Sequence, residues 1–487
     1  MTVLFIIWFV LLFKQRQLKP LSLAEPPSVP ATIPNRLPLN QDEQELPDVI
    51  RQCRVTMRYY HLLRELDWSK ITERLPSKSY RQTPTSYVAF IAACLIKLDQ
   101  GYVYMTQLHR YLVDHPCLIW LLGFSQHLPT GTSADADSLP TARHFTRLLR
   151  KMPNDQLQVL LDDTVHQLKQ EFPDFGSCVS LDTKHILAWV QENNPKAYTE
   201  DRFDKEKQPK GDPDCRLGCK RRHNFYVDAE GSAQTPLDNP IPAKHVSVGE
   251  YYWGYASGVV ATKIHGWGEF VLAEWTQTLD RPDVSYFYPL LEQTEIRLGQ
   301  RPQYGCFDAA FDAYYVYEYF QRENKSWHEG FAAVPRTQRT QGKREFDEQG
   351  QPLCPAGLSM TPQYTYQCRS TMFQHERALY VCPIQDTHTT CPVNHAKWIK
   401  GGCKHRLPTS VGTRLRHQID RDSDLYKTIY KQRTATERIN AQAVMLGIER
   451  PRLRNANAIV NLNTLIYVLI NLRGLHRIRH KKATQTC

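Results

Sequence analysis

The chain has 487 residues, 41% of them hydrophobic and 23% charged, with a mean hydropathy of −0.51. That balance excludes a chain made mainly of membrane spans and describes a globular protein able to bury a core over about two to four structural units. A net charge of +11 and a pI near 8.9 suit a polyanionic partner.

The first residues, MTVLFIIWFVLLFKQR, carry an apolar run over 2–13 that is short for a bilayer span, and its positive charges follow the run. We read it as an extension from an upstream start codon or a buried segment, with no stable membrane partner. Residues 17–49 hold seven prolines, which cannot sustain helix or ladder bonding, so 1–48 is read as an apolar start and a Pro-rich linker.

Residues 49–175 have apolar residues at three and four spacing, as in RVTMRYYHLLREL and NDQLQVLLDDTVHQLKQEF, broken by Pro76, Pro84, Gly101, Pro116 and Pro129. A helical DNA-binding region is expected there. Within it SLPTARHFTRLLRKM fits a short Arg-rich helical pair, either a helix-turn-helix or a plain bundle face.

The pattern changes over 176–337. GSCVSLDTKHILAWV, WGYASGVVATKI and GEFVLAEWTQT read as strands, the last two around the turn at His265 and Gly266. A helix in DVSYFYPLLEQTEIRLGQ, a strand in QYGCFDAAF, a helix in DAYYVYEYFQREN and a strand in EGFAAVPRT follow. Three meander-like strands and then alternating helix and strand predict an α/β fold with a mixed sheet. Residues 338–424 form a Cys-containing insertion, and 425–487 a further helix and a basic tail. From 451 to 487 there are seven Lys or Arg and no acid, so the tail is expected to follow phosphates or to be solvated.

Asp182 lies mid-strand in an apolar run, where a carboxylate needs a partner or a metal. Asp308 ends the strand YGCF, and open α/β sheets place ligands at the carboxyl ends of strands. Asp312 opens the next helix and is read as its cap. In YKQRTATERINAQ (430–442), Tyr430, Arg433 and Glu437 fall at i, i+3 and i+7 of a helix, with Lys431 and Arg438 beside them. Three acids from two strands and one helix suit two hard divalent ions, Mg²⁺ or Mn²⁺.

With this order of Asp182, Asp308 and Glu437, and the spacing Tyr430-x2-Arg433-x3-Glu437, the sequence resembles the DDE transposases of bacterial insertion sequences, in the cut-and-paste group that includes insertion sequence four. FDAAFDAYYVYEY is similar to the family's segment around the second acid, and LDWSKITERLP and LPTARHFTRLLRKM look like its site-binding part. The resemblance implies a ribonuclease H-like core that cleaves double-stranded DNA at terminal inverted repeats and joins 3′-hydroxyl ends to target DNA. It also implies a homodimer in the DNA complex, with Tyr430 and Arg433 on phosphates near the element's end and Lys431 or Arg438 as further DNA contacts. The family's lysine seven residues after the glutamate is replaced by Val444. The alternatives are a transposase-derived DNA-binding protein without nuclease activity and a ribonuclease H-like nuclease that is not a transposase.

Thirteen scattered cysteines, an odd number, suit a reducing cytoplasm, where the protein is expected at the nucleoid. Cys354, Cys368, Cys382, Cys391 and Cys403 are candidates for a zinc-stapled module, although their spacings of 13, 13, 8 and 11 intervening residues contain no tight pair. Cys215, Cys219 and His223 in DPDCRLGCKRRHN have a C-x3-C-x3-H spacing that could bring three zinc ligands together, but without a fourth ligand or a tight pair the stretch is read as a basic loop along DNA. His185 is expected on the face of its strand opposite Asp182, as a structural group or a DNA contact.

Overall fold

The computed structural model describes residues 38–74, 84–125, 127–129, 139–227, 233–234, 244–321, 326–336, 344–368, 374–384, 391–393 and 398–486. The apolar start and most of the Pro-rich linker lie outside them. The helical region contains α1 (Arg54–Leu63), α2 (Tyr87–Asp99), α3 (Met105–Val113), α4 (Pro116–Leu121), α5 (Ala142–Lys151) and α6 (Asp155–Glu171). In α2 the hydroxyl of Ser86 accepts from the N–H of Ala89, and residues 87–98 are buried, so it runs through the middle of the bundle. Pro116 starts α4 and separates it from α3.

The Arg-rich stretch forms one helix, α5, and not a pair, because Pro153 stops it at Met152. Phe145, Leu148 and Leu149 face the core while Arg143, Arg147 and Arg150 are exposed.

The main sheet is mixed. β1 (Cys178–Leu187) pairs antiparallel with β4 (Lys244–Ile264), which pairs antiparallel with β5 (Gly268–Thr278). On its other side β1 pairs parallel with β6 (Tyr304–Cys306), and β6 parallel with β7 (Phe331–Ala333). The order across this part is β5-β4-β1-β6-β7.

β2 (Arg216–Val227) and the two-residue β3 (Ala233–Gln234) were not foreseen. β2 lies along the first half of β4, from Arg216 opposite Gly254 to Val227 opposite Lys244. The segment expected as a basic loop therefore enters a strand. Cys215 is buried, and its thiol donates to the carbonyl of Asp212 at 3.2 Å.

Two apolar layers cover the sheet. One combines the N-terminal helices with α11 (Thr434–Met445), α12 (Ala456–Thr486) and residues of β1, β4 and β5. The other contains α7 (Phe287–Leu298), α8 (Tyr314–Phe320) and α10 (Asp424–Tyr430), with Leu415 of α9 (Val411–Gln418). The helical region thus shares a core with the sheet.

The expected basic tail is mostly α12, which by length and composition alone could cross a membrane, yet its apolar window is 89% buried inside the protein. Its cations are committed within the fold: Arg473 to Asp99 at 2.6 Å, Lys482 to Glu171 at 2.6 Å, and Arg479 to Glu65 and Glu171. Arg477 donates to the Trp267 carbonyl at 3.0 Å, and Lys481 lies 4.7 Å from the Trp267 ring centroid. Buried Asn471 explains one polar residue on this helix. It exchanges two 2.8 Å hydrogen bonds with the N–H and carbonyl of Val271 beside the irregularity in the β4–β5 pairing.

The insertion carries an antiparallel sheet of β8 (Thr361–Cys368), β9 (His375–Val381) and β10 (Lys404–Pro408), ordered β10-β9-β8. α9 follows it and already belongs to the main fold. A Cβ on Gly412 would stand 1.9 Å from the Tyr314 carbonyl oxygen, so glycine is what lets α9 lie against α8. The insertion's own sheet module therefore ends near residue 408.

Candidate active site

The parallel pairing of β1 with β6 sets Ser180 opposite Cys306. Continuing that register two residues, past the end of β6, brings Asp308 alongside Asp182. Asp308 then stands just past the carboxyl end of β6 and Asp182 just past the end of the parallel pairing, with β1 running on to Leu187; the carboxyl end of a parallel strand is where an α/β sheet leaves room for a ligand.

Asp182 is half-buried. Its Oδ1 accepts from the N–H of Thr183 at 2.8 Å and its Oδ2 from Asn440 Nδ2 at 3.0 Å. Its pKa is pushed up to about 6, chiefly by burial and then by Asp308 and Asp283, against the opposing Thr183 N–H and Arg433. The fourth acid, Asp283, is tied in by a 2.7 Å bond from the Thr183 hydroxyl. The turn that carries it sits over Gly258, where a Cβ would come within 2.3 Å of Tyr286.

Glu437 reaches the same edge from α11. Arg433 connects it to Asp308, with Nη1 2.7 Å from Asp308 Oδ1 and Nη2 2.7 Å from Glu437 Oε1. Burial disfavours the guanidinium charge, but the two carboxylates outweigh it and raise its pKa above the ordinary value. Asp308 and Glu437 thus share one cation supplied by the chain itself, and its charge is felt at Asp182.

The Tyr430–Gln442 stretch is not one continuous helix. α10 ends at Tyr430, a 3-10 turn spans Lys431–Arg433, and α11 begins at Thr434. The face survives the interruption: Arg433 lies 5.8 Å from the Tyr430 ring centroid and pairs with Glu437 one turn on. Tyr430 stacks on Tyr426 with an interplanar angle of 12°. Lys431 is exposed on the turn. Arg438 points elsewhere, bound to Glu269 of β5 at 2.6 Å, so it does not join the acids. Val444 is exposed near the end of α11.

Asp312 does not cap α8, whose N-cap residue is Ala313. Its carboxylate is buried and accepts from the Arg416 guanidinium through both oxygens and from the Tyr317 hydroxyl at 2.7 Å. It ties α8 to α9 and is not available as a ligand. His185 bonds through Nδ1 to the Tyr252 hydroxyl at 2.9 Å, as expected of a structural group.

Sequence reasoning missed Asn440 and Asp283. Asn440 is three residues beyond Glu437, on the next turn of α11, and that spacing was available as a signal; Asp283 is found only through the tertiary contact of Thr183.

Among the described residues no group of three or more His, Cys, Asp or Glu is already gathered tightly enough to hold a metal. At the carboxylate edge the cause is visible, since the Arg433 guanidinium lies between Asp308 and Glu437. The donor chemistry fits a hard divalent ion: the oxygens are carboxylates, and burial with mutual repulsion leaves Asp182 short of positive charge.

Beyond the end of β1 lies a cleft of about 470 Å³ lined by Trp189, Asn193, Arg450, Arg452 and Arg454 among others. Trp189 is 40% exposed, and the guanidinium carbons of Arg452 and Arg454 lie 5.7 and 4.9 Å from its ring centroid. Lys184, two residues from Asp182 on the same face, stands 3.5 Å from Glu449. No protein-family model matches the sequence, and no curated protein matches it.

Proposed function

We propose that the chain is a metal-dependent DNA transposase whose catalytic carboxylates are Asp182, Asp308 and Glu437. The observation that carries this reading is the β1–β6 register, which sets Asp308 beside Asp182, together with Arg433, which links Asp308 to Glu437. The strand order supports a ribonuclease H-like core: an antiparallel meander whose first strand is flanked by two successive parallel strands.

Two Mg²⁺ or Mn²⁺ ions held by the three carboxylates would activate the attacking oxygen and stabilise the leaving oxygen at the scissile phosphate. The chain's own groups supply position and charge. Asn440 and the Thr183 N–H fix the orientation of Asp182, while Arg433 presents a planar guanidinium suited to a phosphate at the same edge. The Tyr430 ring supports that guanidinium.

Double-stranded DNA is the partner, both as terminal inverted repeats and as target. The cleft with Trp189, Arg450, Arg452 and Arg454 gives its backbone a cationic, aromatic track leading away from Asp182. The exposed arginines of α5 form a second basic face for the element's end. The protein acts as a homodimer on DNA in the cytoplasm, at the nucleoid.

The test is purified protein with DNA that carries the repeats flanking its reading frame, with Mg²⁺ or Mn²⁺. Cleavage at the repeat boundary, followed by joining of the 3′ end, is expected. No nick under any metal condition overturns the reading, and no inverted repeats around the gene would leave a nuclease but not a transposase.

A further inference from the structure

We infer that Cys354, Cys382, Cys391 and Cys403 form a structural zinc site that staples the insertion, and that Cys368 is not part of it. The four come from separate segments of the chain and line one small enclosed space of about 10 Å³. Such a space holds roughly one water-sized sphere. Water is a poor occupant, because it needs two to four polar partners, whereas this lining is sulfur and apolar side chains such as Leu358 and Ile384. Four thiolates around an atom-sized space suit a thiophilic ion with tetrahedral preference.

The strand register supplies the close pair that the sequence spacing lacks. Val381 pairs with Lys404, so the next position sets Cys382, leaving β9, beside Cys403, entering β10. On the other side Thr361 pairs with the same Val381, which puts Met360 next to Cys382. Tight C-x2-C spacing is thereby replaced by a cross-strand neighbour at about 5 Å between Cα atoms.

The remaining two ligands arrive on shaped turns. Gly357, with φ +75°, closes a turn in which its N–H bonds the Cys354 carbonyl at 2.9 Å. Gly401 and Gly402, with φ of 87° and 73°, bend the chain immediately before Cys403. Cys391 enters from the segment between β9 and β10. Cys368 instead faces His375 at the opposite end of the β8–β9 hairpin. Seven residues of strand put it about 23 Å from the cluster at ~3.3 Å per residue.

The module also needs a staple. Among the described residues its buried cluster is Cys354, Met360 and Cys403, with Ala356, Leu358 and Tyr380 packed against them. A core that small does not hold three strands together without a cross-link or a metal. Among the described residues the thiols stand too far apart to make a metal-ready group on their own; the ion closes the space by replacing it with four metal–sulfur bonds of about 2.3 Å. Because β10 runs into α9, fixing Cys403 also fixes the helix whose Arg416 holds Asp312.

The test is metal content of the full chain, purified under reducing conditions without added zinc and measured by mass spectrometry of the elements. About one zinc per chain is expected for the wild type and for Cys368→Ser, and at least tenfold less for Cys382→Ser and Cys403→Ser. Cobalt in place of zinc is expected to give the visible bands of tetrahedral thiolate coordination. Cys403→His keeps a ligand, so it retains the metal and changes those bands, which guards against a serine variant that merely unfolds. The inference is overturned if reduced wild-type protein contains no zinc and binds none one-to-one on titration. Equal loss in Cys368→Ser and Cys382→Ser, or disulfides among the four thiols in protein isolated without reductant, overturns it as well. None of these readouts depends on DNA cleavage.

Discussion

The carboxylate edge of the large sheet and the cysteine corner of the small one place side chains of metal-ligating chemistry in opposite settings. Asp308 and Glu437 are about half exposed, with side-chain exposures of 54% and 47%, and their counter-charge is the Arg433 guanidinium that bridges them. Cys354, Cys382 and Cys403 are buried around a space one atom wide. Hard oxygens on an open edge leave coordination positions for substrate, whereas soft sulfurs in a closed corner leave none. On the proposed reading the same contrast separates chemistry from scaffolding, and it can be broken experimentally from either side.

The largest effect is expected at the open edge. If the proposed roles hold, Asp182→Ala, Asp308→Ala and Glu437→Ala should each lower strand cleavage by about a thousandfold or more, since each would remove a direct ligand and even outer-shell partners are worth about 10–100-fold. Binding to the element's end, followed by gel shift, should change little. Normal cleavage by Asp308→Ala would remove that acid from the site.

Metal removal comes next and should divide the two regions. EDTA is expected to stop cleavage at once and to lower the thermal midpoint only by the small contribution of the ions at the acids, because Arg433 already links Asp308 to Glu437 without them. A thiol-directed mercurial that ejects zinc should instead open residues 344–408 to protease, mapped by mass spectrometry of the fragments. Equal sensitivity of both regions to EDTA would erase the distinction.

Asp312 is a control that lies close to the acids in sequence and outside their chemistry. Asp312→Ala leaves the Arg416 guanidinium partly buried without its carboxylate, and such a break costs about 3 kcal/mol in denaturant unfolding. Cleavage per folded molecule should stay within a few fold of wild type. A variant that unfolds normally and fails to cleave would make Asp312 a ligand.

Much of this was legible in the sequence where periodicity and polarity conflict. An acid in the apolar strand around Asp182, and another at the strand end at Asp308, are visible because local propensity disfavours them. The strands and helices from 178 to 333 followed from alternation and turns. β2 did not, because CRLGCKRRHN has too many cations to read as a strand, and its pairing with the long β4 overrides that composition. The C-terminal region misled for a related reason: counting seven bases without an acid hides that Arg473, Arg479 and Lys482 have their partners, Asp99, Glu65 and Glu171, hundreds of residues away. Asp312 was likewise assigned from its position ahead of a helix, while its real partner is on α9. The sequence offered five cysteines without order among them, and strand register with the shared lining sets Cys368 apart from the other four.

The smallest expected effect is on stability, and it tests whether the open edge is strained without ions. In the folded protein the Asp182 carboxyl holds its proton up to about pH 6 instead of the ordinary 3.8, first because burial disfavours its charge and then because Asp308 and Asp283 repel it. The folded state therefore binds that proton more tightly than the unfolded chain does. Protonated Asp182 is at no disadvantage below about pH 4, and the penalty for ionising it grows as pH rises through the window to about 6. The full shift corresponds to about 3 kcal/mol, and about 2 kcal/mol remains once partial solvent screening is allowed for. Asp182→Asn removes the ionisation and keeps an acceptor for the Thr183 N–H. In divalent-free buffer at pH 7.5 the variant should be more stable than wild type by about 2 kcal/mol in urea unfolding, with the gain gone at pH 4. Mg²⁺ should narrow the difference by stabilising the wild type alone. A gain of equal size at pH 4 and pH 7.5 would show that the substitution acts through packing, and that the acids at this edge carry no unmet charge for a cation to answer.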